Sequence, residues 1–272
     1  MNSKITGGPT RHLFTTKVLN KYDVKYYQCL ETGFIQTEEP YWLEEAYSSA
    51  ITKLDIGLPQ RNVTLSDKTA KIILKNFDSK QPFLDYAGGY GLFTRMMRDK
   101  GFNFYHTDKY CQNLFADFFD LTDFIGDAHF EIVTAFEVFE HMVNPAIEMK
   151  ELLKYSNNIL FSTELQPNDQ IRRAEDWWYF IPETGQHISL FTEKALSYLA
   201  EKEGYNFYTD GFGLHLFTKK KFPKNPVKAR DTFFVRKLKK LIKKYDKSQY
   251  PSPESLLQKD WEMINNRLKT SS

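Results

Sequence analysis

The stretch Phe83-Leu84-Asp85-Tyr86-Ala87-Gly88-Gly89-Tyr90-Gly91 constrains this chain more than any other part of it. Its apolar start reads as a short buried strand and its glycines as a tight turn. A helix follows at once over Leu92 to Lys100, with Leu92, Met96 and Met97 on the apolar side. Glycines at 88, 89 and 91 remove the Cβ atoms where a ligand would lie against the backbone. The helix start offers unpaired N–H groups and a positive dipole end to the same spot. Strand, glycine turn and helix in this order open nucleotide-binding α/β domains.

The chain continues that alternation. Phe102 to Thr107 reads as a second strand ending at Asp108, and a weaker third unit lies within 112–126. Phe130 to Phe136 is the strongest strand signal, followed by a helix over Pro145 to Tyr155 and a strand over Asn158 to Thr163. Thr192 to Glu203 reads as a helix that Gly204 stops. Tyr205 to Thr209 and Gly213 to Thr218 then close the sheet as a hairpin. Strands alternating with helices predict a mostly parallel sheet covered on both faces, with the last strand antiparallel.

Around this centre the 272 residues divide into three regions. Residues 1–65 carry two strand-like pieces, Val24 to Cys29 and Gly33 to Thr37. A helix opened by Pro40 follows, with Trp42, Leu43, Ala46, Tyr47 and Ile51 on one face. So little structure buries little surface alone, so the region is expected to pack on the main domain as a cap. The main domain spans 66–220, with a helix start at Leu65-Ser66-Asp67. Residues 221–272 form an extension. A basic run over 219–245 has Phe234, Leu238, Leu241, Ile242 and Tyr245 at helical spacing, and a last helix starts at Ser252-Pro253.

Composition narrows the classes. Aromatics make up 16% of the chain, enough for a large core and an aromatic-walled pocket. The two cysteines, Cys29 and Cys111, have no C-x-x-C partner, which argues against a disulfide framework or a cysteine zinc site. Residues 1–20 hold no apolar run of signal-peptide type, and no stretch reaches membrane-spanning length. A cytoplasmic protein is expected, with contact at the inner membrane face through the basic run as an added expectation.

The glycine loop departs from the dinucleotide pattern, since Thr94 stands where a final glycine or alanine belongs. Asp85 just ahead of the loop would repel a pyrophosphate but suits an ammonium group. Asp108 at the tip of the second strand suits a ribose, and no Walker lysine follows the glycines. A ligand with a ribose and an amino group, and without a diphosphate, meets these conditions.

With Leu84 to Gly91, Asp108, Phe130 to His141 and Gly185 to Thr192, the chain resembles the class I S-adenosylmethionine-dependent methyltransferases over roughly 66–220. The resemblance implies a Rossmann-like, doubly wound, seven-stranded α/β sheet whose last strand is antiparallel. It implies S-adenosylmethionine as cofactor, contacted by Asp85, Tyr86, Gly88, Gly89, Gly91, Asp108 and Phe136. Asp117 is the choice for the adenine contact, and Arg61 for the cofactor's carboxylate.

Glu137-Val138-Phe139-Glu140-His141 follows the strongest strand. A helical turn there would bring 137, 140 and 141 to one face, placing two carboxylates beside an imidazole. Two anions without a basic partner repel unless protonated or bound to a cation. Glu-x-x-Glu-His is similar to the metal motif of ubiquinone-biosynthesis O-methyltransferases and small-RNA 2′-O-methyltransferases, and His187 matches the downstream histidine of the RNA group. The implied site is Mg²⁺ or Mn²⁺, with zinc as an alternative, on Glu137, Glu140, His141 and His187. The ion would chelate substrate hydroxyls and lower their pKa for methylation. A metal-free base at His141 or His187, and a purely structural role, are the competing readings.

Asp176-Trp177-Trp178-Tyr179-Phe180-Ile181-Pro182 lies before His187. Trp177, Trp178 and Tyr179 suit a platform for a sugar face or a base, with core packing under a long connection as the bland alternative. Gln186 joins them as an acceptor contact. Trp177 to Thr192 looks like a methyltransferase subgroup associated with bacterial surface-polysaccharide synthesis. Some members of that subgroup carry an N-terminal cysteine zinc ribbon, of which Cys29 alone remains here. The expected activity is O-methylation of a sugar, nucleotide-sugar or glycan. RNA 2′-O-methylation and a non-catalytic cofactor-binding regulator are the alternatives.

Overall fold

The computed structural model describes residues 1–48 and 55–228, together with Glu254, Leu256, Lys259 and Met263. The amphipathic reading of 229–245 and the helix start at Ser252-Pro253 lie outside the described residues, as does Ile51 of the helix expected after Pro40.

Two sheets organise the chain. The first is antiparallel and joins β1 (Thr10–Val18), β2 (Tyr22–Cys29), β3 (Ile35–Thr37) and β8 (Ser189–Leu190) in that order. The second holds six strands in the order β5-β4-β6-β7-β10-β9. These are β4 (Phe83–Tyr86), β5 (Phe104–Thr107), β6 (Val133–Phe136), β7 (Asn158–Ser162), β9 (Asn206–Thr209) and β10 (Leu214–Thr218). β4 runs parallel to β5 and β6, and β6 parallel to β7, while β10 is antiparallel to both of its neighbours. The antiparallel strand is therefore the last among the described residues, inserted between β7 and β9.

The expected seventh strand does not form among the described residues. The segment 112–126 contributes a 3₁₀ turn, Leu121–Asp123, and one isolated bridge between His106 and Asp120. Asn113 folds that segment on itself instead: its side chain bonds the Ala116 amide and carbonyl. Side-chain bonds of this kind compete with a strand ladder for the backbone groups.

Helices cover both faces of the large sheet. α4 (Pro145–Leu153) and α5 (Glu193–Lys202) pack Met149, Leu152, Leu196 and Leu199 on Val133, Ile159 and Phe217. On the other face α2 (Leu58–Asn76) and α3 (Leu92–Asp99) set Ile72, Ile73, Phe93 and Met97 against Phe83, Phe104 and Leu216. Asn144 and Thr192 cap α4 and α5 through side-chain bonds to Ile147 N and Ala195 N. α2 starts at Leu58, well before Leu65, because Pro59 suits the first helical turn and its apolar stripe includes Leu65 itself. α1 (Leu43–Ala46) is a single turn.

β1 carries no strand signal in the sequence. A register shift between His12 and Phe14 breaks its alternation, leaving Phe14 and Val18 as the buried positions. β8 stitches the two halves together, since it comes from the segment after the aromatic loop yet pairs with β3. Trp42 Nε1 donates to Gly185 O at 2.8 Å, and Gln186 Nε2 donates to Ala46 O at 2.9 Å. These contacts tie α1 directly to the segment that carries His187.

Candidate active site

The cleft opens at the carboxyl ends of β4, β5 and β6, as expected for an open α/β sheet. It encloses about 780 Å³, lined by the glycine loop, Asp108 to Cys111, Phe136, Glu137, Glu140, His141, Trp178, Tyr179, Ile181 and Gln186-His187. Tyr47, Asp55, Leu58 and Arg61 also line it.

At the cofactor end, Asp85 lies beneath the glycine turn. Thr94 Oγ1 donates to its Oδ2 at 3.0 Å and Thr134 Oγ1 to its Oδ1 at 2.9 Å. Burial raises its pKa, while the nearby His106 and the two hydroxyls pull it back. Gly88 passes so close above it that a Cβ there would overlap Asp85 Oδ2 and press on His106. Gly91 adopts φ +80, and its missing Cβ makes room for Asn113. Asp108 accepts from Gly89 N at 2.9 Å and from Tyr110 N and Cys111 N at 2.7 Å. Its carboxylate is thus fixed at the cleft wall, with an acceptor site on Oδ2 left for a ribose hydroxyl.

Tyr86 and Phe136 line the cleft as expected. Asp117 does not. Its side chain turns back to the Phe118 amide, and the segment's approach to the cleft is through Cys111 and Phe115. Arg61 reaches the cleft but its guanidinium is held by Asp55 through bonds of 2.9 and 2.7 Å. An anion of the protein itself occupies the fork expected for the cofactor's carboxylate.

At the other end the acid–histidine motif does not form a helical turn. Glu137 takes φ +54 and only Phe139–His141 coils, as a 3₁₀ turn. Glu137 therefore parts from the others, and its carboxylate is bound by the Ser162 hydroxyl. Glu140, His141 and His187 instead converge, with one donor atom from each within 4.8 Å of the others. The fourth expected ligand is thus displaced by backbone conformation.

The three convergent groups suit a cation. His141 Nδ1–H donates to Gln186 O at 3.0 Å, and His187 Nδ1–H donates to Tyr179 O at 2.6 Å. Both histidines are thereby fixed in the tautomer that leaves Nε2 as a lone pair, as metal-ligating histidines are. Burial lowers both histidine pKa values, that of His187 to about 3, which keeps the lone pairs available. Glu140 is fully buried; its Oε1 accepts from Tyr179 Oη at 2.7 Å while Oε2 has no hydrogen-bond partner. Burial lifts Glu140 and Glu137 each to about 7, Glu137 further through the negative charge of Glu140. A buried carboxylate whose Oε1 lies 3.9 Å from His141 Nε2, grouped with two imidazole lone pairs, fits a bound divalent ion.

The aromatic loop splits in two. Trp178 is 68% exposed and lines the cleft, whereas Trp177 is 7% and Tyr179 2% exposed. Trp177 packs into the cluster of Phe14, Tyr26 and Phe180 beneath the N-terminal sheet. Three successive residues of a tight turn cannot all face one way, so only Trp178 is free to meet a ligand. Gln186 lines the cleft with its amide held by Ala46 O.

Several contributors escaped the sequence reading. Thr94 stood out as a departure without being read as the donor to Asp85. Ser162 and Thr134 gave no signal, because their roles depend on strand register: Ser162 lies opposite Phe136, and Thr134 opposite Asp85. Tyr110, stacked on Tyr47 at 4.8 Å between ring centres, was also missed.

A methyltransferase-domain family model matches residues 59–209, more than half of the chain, and the chain belongs to that family. That membership agrees with the S-adenosylmethionine expected from the sequence. No curated protein matches the sequence. Among solved structures, the chain is similar at 12% identity to CalO1, a methyltransferase in calicheamicin biosynthesis bound to S-adenosylhomocysteine. That match covers 65% of this chain and 61% of the other, with a TM-score of 0.40. An O-methyltransferase family protein from Burkholderia thailandensis aligns at 12% identity over 57% and 56% of the two chains, TM-score 0.39. WbdD aligns at 14% identity over 61% and 42%, TM-score 0.37. The chain thus spans less than two thirds of the length of each of these proteins.

Proposed function

We propose that the protein transfers the methyl group of S-adenosylmethionine to a hydroxyl oxygen of a carbohydrate: a sugar, nucleotide-sugar or glycan of a bacterial surface polysaccharide. The observation that carries the reading is the convergence of Glu140, His141 and His187 within 4.8 Å, in the same cleft as the Asp85–Gly91 loop. These three residues would hold Mg²⁺ or Mn²⁺. Such an ion supplies a Lewis acid that lowers the pKa of coordinated hydroxyls.

The chain's own residues do the rest. The glycine loop admits the cofactor against backbone, and Asp108 orients its ribose. Trp178, exposed at the cleft, offers a flat face to the apolar side of a sugar ring. Glu137 stands outside the triad but lines the cleft, with its carboxylate oriented by Ser162. It is the group that accepts the acceptor's hydroxyl proton as the C–O bond forms and the methyl–sulfur bond breaks. The products are a methyl ether and S-adenosylhomocysteine.

The basic residues of 219–245 are part of the same proposal, as a contact to an anionic membrane surface where lipid-linked glycans are assembled. The test is to incubate the protein with tritium-labelled S-adenosylmethionine and extracts divided into carbohydrate and RNA fractions. Label in the carbohydrate fraction supports the reading; label confined to RNA sinks it.

A further inference from the structure

Tyr179 belongs to the aromatic loop and to the cleft lining, yet only 2% of its surface is exposed. It is buried, and its hydroxyl and backbone carbonyl are both committed. Its hydroxyl donates to Glu140 Oε1 at 2.7 Å. Its backbone carbonyl accepts from His187 Nδ1–H at 2.6 Å. Its ring meets the His187 ring edge-on, with centres 4.5 Å apart. One residue therefore touches two of the three convergent groups by three separate contacts.

We propose that Tyr179 is a positioning residue that fixes Glu140 and His187 together in the geometry a divalent cation needs, and that it does not contact the acceptor. This rests on the metal reading above. The hydroxyl stops rotation of the Glu140 carboxylate. The carbonyl holds the His187 tautomer whose Nε2 points its lone pair away from the backbone. Groups one step behind metal ligands act in this way by setting orientation and basicity.

The backbone around Tyr179 supports the assignment. Tyr179 lies in the 3₁₀ turn Trp178–Phe180, which ends at Ile181 with φ +38. A β-branched residue in that region is strained, and such strain persists where the surroundings over-determine a conformation. Here the turn is held from behind: Trp177 and Phe180 are buried in the N-terminal cluster, and Leu19 N donates to Pro182 O at 2.9 Å. The N-terminal sheet thereby supports the metal ligands through the loop.

Tyr179→Phe removes the hydroxyl while keeping the ring and the carbonyl. Mn²⁺ titration by calorimetry on the full chain is expected to show a dissociation constant raised about 10-fold or more. S-adenosylmethionine affinity stays at the wild-type value. Phe180→Leu, which loosens the same loop without touching a ligand, lowers the melting temperature and raises the Mn²⁺ dissociation constant less than Tyr179→Phe does. Unchanged Mn²⁺ affinity in Tyr179→Phe overturns the proposal. So does a loss of Mn²⁺ affinity in Phe180→Leu equal to that in Tyr179→Phe, or a raised acceptor KM with normal metal binding. A wild-type protein that takes up no Mn²⁺ removes the metal reading and this proposal together. That flat titration is distinct from a loss confined to the variant.

Discussion

Thr94 donates its hydroxyl to Asp85 Oδ2 at 3.0 Å, joining the first turn of α3 to the end of β4 underneath the glycine loop. The residue that breaks the dinucleotide pattern is therefore the one that holds the loop's acid in place. Thr94→Val keeps the shape and leaves a buried carboxylate oxygen short of a donor. It is expected to cost about 1–3 kcal/mol of stability and to weaken cofactor binding about 10-fold or more. Chemical denaturation and equilibrium binding of S-adenosylmethionine check both.

Gly88 lacks room for any side chain, because a Cβ would overlap Asp85 and press on His106. Gly88→Ala is expected to lower stability by about 1–3 kcal/mol and to abolish measurable cofactor binding. Thermal melting with and without S-adenosylmethionine should show the ligand-induced rise in the wild type only.

The glycine loop, the order of strands and helices, and the antiparallel last strand were legible because each rests on local pattern. Apolar runs, turn glycines and capping residues such as Asn144 and Thr192 act within a few positions of themselves. What was not legible depends on long-range register or on a single dihedral. The left-handed turn at Glu137 removed it from the ligand set, and nothing in Phe136-Glu137-Val138 marks that turn. Likewise Trp177 and Tyr179 read like Trp178, and only packing against the N-terminal sheet distinguishes them.

That distinction gives opposite expectations for neighbouring tryptophans. Trp178→Ala should leave the melting temperature nearly unchanged and raise acceptor KM about 10-fold, in line with roughly 1.4 kcal/mol of lost contact. Trp177→Ala should destabilise the fold by about 3–5 kcal/mol. Parallel melting curves and steady-state kinetics separate the two.

His215 provides a stability signature away from the cleft. It is buried on β10, its Nε2–H donating to Thr163 O at 2.9 Å and its Nδ1 facing the Thr209 hydroxyl. Burial lowers its pKa to about 4. Below its unfolded pKa of about 6.5, the unfolded chain takes up a proton that the folded chain refuses. Its contribution is therefore fully present above about pH 6.5 and is lost as pH falls towards 4. The loss amounts to roughly 3 kcal/mol at most. Urea denaturation at pH 7 and pH 5 should show a smaller pH loss in His215→Gln than in the wild type.

The central claim is methyl transfer to a hydroxyl beside a cation held by Glu140, His141 and His187. The most direct measurement is the initial rate of label transfer from S-adenosylmethionine to the carbohydrate fraction by protein stripped with EDTA, then supplied with Mg²⁺ or Mn²⁺. Cation-dependent transfer requires a rate near background in the stripped protein, restored by either ion in the wild type and by neither in His141→Ala. A stripped protein that transfers label at the full rate would contradict it.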